Sequence, residues 1–120
     1  MRRQRGAAAE GLAAAYLENR GVAVLARNVG CKTGEIDLVC RDGEVLAMVE
    51  VRQRCSRDFG GALASVTRRK QRKIIRAAGF LLQRNAAWQR CLLRFDVIGV
   101  LGLPDCAPEF EWIKDAFRAT

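Results

Sequence analysis

The dipeptide Asp42-Gly43 stands between two runs of alternating side chains, and it constrains the fold more than any other feature of the chain. Asp-Gly flanked by apolar alternation is a strong signal for a two-residue β-hairpin turn. Strands are therefore expected over 34–41 and 44–53. With Asp42 and Gly43 as the turn, Arg41 faces Glu44, Val39 faces Leu46, Asp37 faces Met48 and Glu35 faces Glu50. Side chains alternate along a strand, so Glu35, Asp37 and Val39 share one face with Leu46, Met48, Glu50 and Arg52. The other face carries Ile36, Leu38, Val45, Ala47, Val49 and Val51, all apolar, and reads as core. Three carboxylates and a guanidinium crowd the first face. Asp37 and Glu50 are diagonal neighbours there, with backbones roughly 7–8 Å apart and side chains able to converge. Glu35 opposite Glu50 is a like-charge pair, which destabilises the sheet unless a cation lies between them.

Carboxylates converging from adjacent strands make an oxygen-rich half-site of the kind Mg²⁺ accepts, with positions left for water and a phosphate oxygen. The alternative is an ion-pair network in which Arg52 neutralises the acids and no metal binds; spacing alone does not choose between them. The chain has no histidine. Ser-His-Asp and Cys-His triads, His-based nucleases and His-ligated zinc hydrolases are thereby excluded. Hydrolytic chemistry would have to run on carboxylates, Lys or Arg, and a hard metal.

The rest of the chain reads as an α/β protein with the order α-β-β-β-α-β. An Ala-rich helix is expected over about 6–20, with Leu12, Ala15, Tyr16 and Asn19 on one side, stopped by Gly21. A first strand follows at 22–29. After the hairpin, Ser65 or Thr67 caps a helix to about residue 84, with Ile74, Ala78 and Leu81 facing inward. A fourth strand covers 92–101, and 109–113 suits a short last strand before a helical or frayed end. The third strand, the helix and the fourth strand form one crossover, so those two strands are expected to be parallel. At 120 residues, half of them apolar, the chain has the size of a single domain, 1–120.

Compartment follows from cysteine usage and hydropathy. The five cysteines (31, 40, 55, 91 and 106) are odd in number and include no C-x-x-C pair, which points to reduced thiols and the cytoplasm. No run approaches the ~20 apolar residues of a membrane span. The basic start, Met1 to Arg5, is followed by an apolar stretch broken at Glu10 and Glu18, which suits a helix of the mature protein and not a leader.

The net charge of +8 is concentrated. Arg52, Arg54, Arg57, Arg68, Arg69, Lys70, Arg72, Lys73 and Arg76 share their segment with one acid, Asp58, while the charges of the remaining residues cancel. Such a block suggests a surface that docks a polyanion, the alternative being a solvated helix face. Arg69, Lys73 and Arg76 fall on one helical stripe suited to phosphates, and Arg54 and Arg57 lie in a basic loop with Gly60-Gly61. Nothing in the chain predicts base-sequence readout.

Asp37 followed by Glu50-Val51-Arg52 resembles the D…(D/E)-x-K signature of the PD-(D/E)XK nuclease superfamily, and the element order matches its common core. More closely, Gly6…Glu10, Asn28, Gly34-Glu35-Ile36-Asp37-Leu38, Val49 to Arg54, Lys70 and Arg94-Phe95-Asp96-Val97-Ile98 are similar to the YraN family. That bacterial family is uncharacterised or described as endonuclease-like, and is similar to archaeal Holliday-junction resolvases. The resemblance covers nearly the whole chain.

It implies a restriction-endonuclease-like core, a mixed central sheet flanked by helices. It also implies an Mg²⁺- or Mn²⁺-dependent DNA endonuclease acting on branched or junction DNA. A catalytically weak or inactive nucleic-acid-binding or assembly module on the same fold is the alternative. Asp37 and Glu50 would hold the metal, Glu10 would be the remote acid that orients a ligand or metal-bound water, and Glu35 would stand behind the ligands. Arg52 occupies the usual lysine position; it keeps the charge and can grip phosphate in a forked geometry, but cannot act as a base. Lys70, leaning toward the sheet with Ile74, is the candidate to compensate, and Gln71 is a lesser one. Resolvase-like relatives also imply a homodimer, although no stretch of sequence identifies its interface.

Overall fold

The hairpin forms, but its turn lies one residue later than expected. The computed structural model describes residues 2–54, 61–102 and 107–119, with side chains described from residue 7 onward. Strands β2 (Gly34–Asp42) and β3 (Val45–Arg54) pair antiparallel with Asp42 facing Val45 and Leu38 facing Val49. The turn residues are therefore Gly43 and Glu44. Gly43 has φ +62° and Glu44 has no positive φ. Glycine first, with positive φ there alone, marks a type II′ turn in place of the type I′ turn that Asp-Gly favours. The expected register is corrected accordingly: Arg41 faces Leu46, and Val39 faces Met48. Continued along the strands, this register brings Asp37, and not Glu35, level with Glu50. A displacement of two residues preserves the side-chain parity, so the expected faces largely survive the correction.

The remaining strands complete a mixed five-stranded sheet in the order β1-β2-β3-β4-β5. β1 (Ala23–Cys31) lies antiparallel to β2, β4 (Leu92–Leu101) lies parallel to β3, and β5 (Glu109–Phe117) lies antiparallel to β4. Between β3 and β4 run the short α2 (Gly61–Ala64), the long α3 (Arg68–Gln83) and the short α4 (Ala86–Gln89). The expected crossover between parallel strands is thus present. β5 continues to Phe117, where a helical or frayed end was expected. Its register shifts between Phe95 and Val97, and Asp115 takes φ +52°. This bulge lets Phe117 return to the sheet and stack on Phe95 at 5.2 Å between ring centroids.

Both faces of the central strands are covered. α1 (Arg2–Glu18) packs with Leu38, Cys40, Ala47, Val49, Val51, Ile98 and Val100. α3 packs on the opposite face with Val39, Leu46, Met48, Phe95 and Val97. The buried stripe of α1 is Ala9, Ala13, Ala14 and Leu17, whereas Ala15 and Asn19 are exposed. The helix is thus rotated from its expected side, because small alanines let its backbone approach the sheet closely, and this rotation takes Glu10 inside. On α3 the cap is Thr67, whose Oγ1 accepts from the Lys70 N–H at 3.1 Å. Ile74, Ala77, Ala78 and Leu81 face inward. A Cβ on Gly34 would collide with the Lys73 carbonyl, so this glycine sets how closely the β1–β2 end approaches α3. Cys31, Cys40 and Cys91 are free thiols, of which only Cys40 is buried; Cys55 and Cys106 lie outside the described residues. Among the described residues no helix is long and apolar enough to cross a membrane.

Candidate metal centre

β2 and β3 part company where the acids begin. Among the described residues their ladder ends at the Leu38–Val49 pair. Just beyond it, the Val51 N–H donates to Asp37 Oδ2 at 2.9 Å, so a side chain satisfies a donor that a backbone carbonyl would satisfy in a continuous ladder. The alternation of β2 also breaks here. Leu38 belongs to the α1-side core but Ile36 to the α3-side core, which corrects the expectation that they share a face. The resulting cleft opens between the two helical layers, and side chains from both helices reach it.

Three carboxylates meet in that cleft. Glu50 on β3 is 3% exposed and Glu10 on α1 is 9% exposed, while Asp37 is half-buried between them. Asp37 is a close neighbour of both, near enough for its charge to act on each. Burial and the charge of Asp37 raise Glu10 above the ordinary glutamate range, with the Asn28 side chain acting in the opposite sense through a hydrogen bond. Glu50 is pushed up to about 8, first by burial and then by Asp37, against the lowering influence of Lys70 and Arg52. Glu35 is exposed and adds a like charge near Glu10. It does not face Glu50.

Two cations border the acids. Arg52 NH1 donates to Glu50 Oε2 at 3.3 Å. Its Nε donates to Ser65 Oγ at 3.0 Å and its NH2 to the Ser65 carbonyl at 2.9 Å. Ser65 in turn donates to the Ala62 carbonyl at 2.6 Å, so the guanidinium sits in a fixed fork. Lys70 Nζ lies 3.8 Å from the same Glu50 Oε2. The other Glu50 oxygen, Oε1, is buried without a hydrogen-bond partner.

That orphan atom tests whether a hard divalent ion fits. A buried carboxylate oxygen with free lone pairs, next to a second carboxylate, is the donor set Mg²⁺ or Mn²⁺ takes. Among the described residues no group of three or more acidic or cysteine side chains is placed to hold a metal ion together. Mg²⁺ does not require one, since it is commonly held by one or two carboxylates with waters and substrate phosphates. Asp37 and Glu50 therefore fit the ion.

The structure gathers Glu10, Asp37, Glu50, Arg52 and Lys70 into one cleft and leaves other candidates outside it. Gln71 points elsewhere: its Nε2 donates to the Val66 carbonyl at 3.1 Å, because one residue along α3 turns it about 100° from Lys70. Arg54 stands at the end of β3 with its Nε buried and unpartnered. Arg69, Lys73 and Arg76 are exposed on α3. Arg57 lies outside the described residues. Ser65 was missed as a site residue; its sequence signal as a helix cap was taken by Thr67 in the structure.

The model of a family described as "Uncharacterised protein family UPF0102" matches residues 9–100. A UPF0102 protein of Pseudomonas putida F1 is 44% identical over 94% of this chain and 92% of its own length. Those of Halorhodospira halophila and Xanthomonas campestris are each 47% identical, over 97% and 98% of this chain and 88% and 93% of their own lengths.

Proposed function

The chain belongs to the UPF0102 family, and on that premise we propose that it is a divalent-metal-dependent DNA endonuclease of the reduced cytoplasm, with Mg²⁺ or Mn²⁺ held by Asp37 and Glu50. The observation that carries this reading is the unpartnered, buried Oε1 of Glu50 beside two further carboxylates. An orphaned buried acceptor costs about 1–3 kcal/mol, and a cation would supply the missing partner. The resemblance of Asp37 and Glu50-Val51-Arg52 to the nuclease signature supports the same assignment.

The bound ion would supply Lewis acidity toward a phosphate oxygen. The other groups belong to the chain. Glu10 orients Asp37 from behind. Arg52, held by Ser65, stabilises charge on the phosphate through its fixed guanidinium fork. Lys70 is half-exposed and spends a single 3.8 Å contact on Glu50, which leaves donors for a phosphate oxygen. The exposed stripe of Arg69, Lys73 and Arg76 suits the DNA backbone, so recognition by charge and shape is expected, with branched or junction DNA as substrate.

Arg52 favours a second reading. Three of its donors are taken by Ser65 and Glu50, which suits a binding or assembly module on a nuclease fold. One experiment separates the two. Linear, flapped and four-way-junction DNA are incubated with the protein, with and without Mg²⁺ or Mn²⁺, alongside Asp37→Ala and Glu50→Ala. The endonuclease reading expects metal-dependent cutting that both variants lose. Salt-sensitive binding without cutting, unchanged in the variants, would overturn it in favour of the binding module.

A further inference from the structure

α3 presents cations on two flanks, and the candidate site accounts for only one. At about 100° per residue, Arg69, Lys73 and Arg76 fall together on the flank whose Lys73 backbone abuts Gly34. Arg68 and Arg72, one turn apart, fall on the other flank beside Gln71 and Ile75. There a cavity of about 480 Å³ lies between the start of α3 and the end of β5. This is the size of a small-ligand site.

Its lining divides by chemistry. Leu63, Ile75, Ala116 and Phe117 provide apolar surface, and all four belong to or pack on the α3-side core. Arg68, Arg72 and Arg118 provide guanidinium groups. Arg118 is paired with Asp115, at 2.7 Å from NH2 to Oδ2. Arg68 and Arg72 are exposed and have no ion-pair partner among the described residues. The cavity thus carries three cations against one neighbouring carboxylate. Gln71 is held in place on its wall by the hydrogen bond to Val66.

We propose that this cavity binds one unpaired nucleotide, its base against the apolar surface and its phosphate between Arg68 and Arg72. Arginine forks match phosphate oxygens, and nucleobases favour apolar and planar surfaces. The inference rests on the nuclease reading for the source of that nucleotide: a flap or frayed strand beside the duplex carried by the other flank. The protein would then recognise branched DNA by holding duplex and single strand on adjoining flanks of one helix.

Two measurements test it. Titration of isotope-labelled protein with thymidine 5′-monophosphate is expected to shift the amide signals of Ile75, Ala116 and Phe117, while inorganic phosphate shifts those near Arg68 and Arg72 alone. Identical responses to both, or none to the nucleotide, would overturn the proposal. For metal-free binding, Arg68→Ala/Arg72→Ala is expected to lower the preference for a forked over a fully paired duplex by about tenfold. Arg69→Ala/Lys73→Ala should weaken both substrates alike. Equal losses on both substrates in the first variant would contradict a nucleotide pocket. Failure of the wild-type protein to bind any DNA would instead count against the nuclease reading, and the nucleotide titration would still decide the pocket.

Discussion

Glu50 and Asp96 are both buried acids, on neighbouring parallel strands and one residue apart in register, yet their surroundings are opposite. Asp96 pairs in register with Val49 and belongs to the α1 side; Glu50 pairs with Val97 and belongs to the α3 side. Asp96 is 0% exposed and receives four donors. Its Oδ1 accepts from Arg94 Nε at 2.8 Å and the Asp115 N–H at 3.0 Å; its Oδ2 accepts from Arg94 NH2 at 2.9 Å and Trp112 Nε1 at 3.0 Å. Arg94 also reaches Asp42 at 2.9 Å, so the buried charges are paired and saturated. Glu50 has cations at 3.3 and 3.8 Å on one oxygen, no partner on the other, and a second carboxylate beside it. Saturation marks an acid that holds the fold together. Deficit marks one shaped for something the chain does not itself supply.

The contrast is most easily broken at Asp96. Asp96→Ala would strand Arg94 Nε, the Trp112 indole and the Asp115 N–H together, leaving Arg94 only its Asp42 pair, and should cost about 3–5 kcal/mol of folding stability. Urea unfolding checks this. A loss below that of Glu50→Gln under the same metal-free conditions would reverse the assignment of roles.

The second expectation concerns pH. The folded protein keeps a proton on Glu50 up to about 8, whereas in the unfolded chain it leaves near the ordinary 4.5. Stability of the metal-free protein should therefore be full below that lower value and decline as pH rises toward 8. The raised Glu10 acts in the same direction. Between pH 5 and 8 the decline should be on the order of 1–3 kcal/mol, and Glu50→Gln should flatten most of it. Unfolding midpoints in the presence of a chelator measure both. A wild-type protein more stable at pH 8 than at pH 5 would remove the deficit on which the contrast depends.

The smallest effect sharpens the comparison. Ser65→Ala removes one hydrogen bond to a part-exposed Arg52 and should cost about 0.5–1 kcal/mol. The guanidinium, left to the Ser65 carbonyl and Glu50, should be held less firmly, so any DNA cleavage should fall beyond what that loss of stability explains. Cleavage unchanged in Ser65→Ala would show that the fork at Arg52 is only structural.

How much of this was legible in the sequence depended on period and parity. β4 appeared at its observed bounds, and the parallel crossover followed from the helix between two apolar runs. The hairpin was correctly located, but Asp-Gly does not distinguish a turn centred on itself from one centred on Gly43-Glu44. The displacement happened to be even, so Asp37 and Glu50 still met, just past the end of the ladder. The break in β2 at Asp37 was not legible, since it depends on strands separating in three dimensions. Nor was the burial of Glu10, which follows from a rotation of α1 that an alanine-rich stretch does not specify. Ser65 needed the path of the chain after β3, because its partner Arg52 lies 13 residues earlier.

The central claim is that the cleft between β2 and β3 is a divalent-metal site. Calorimetric titration of the chelator-treated protein with Mn²⁺, without DNA, tests it most directly, beside Asp37→Asn, Glu50→Gln and Asp96→Asn. The account predicts a site that the first two variants lose and a folded Asp96 variant keeps. Binding that survives both Asp37→Asn and Glu50→Gln, or no binding by the wild-type protein at all, would contradict it.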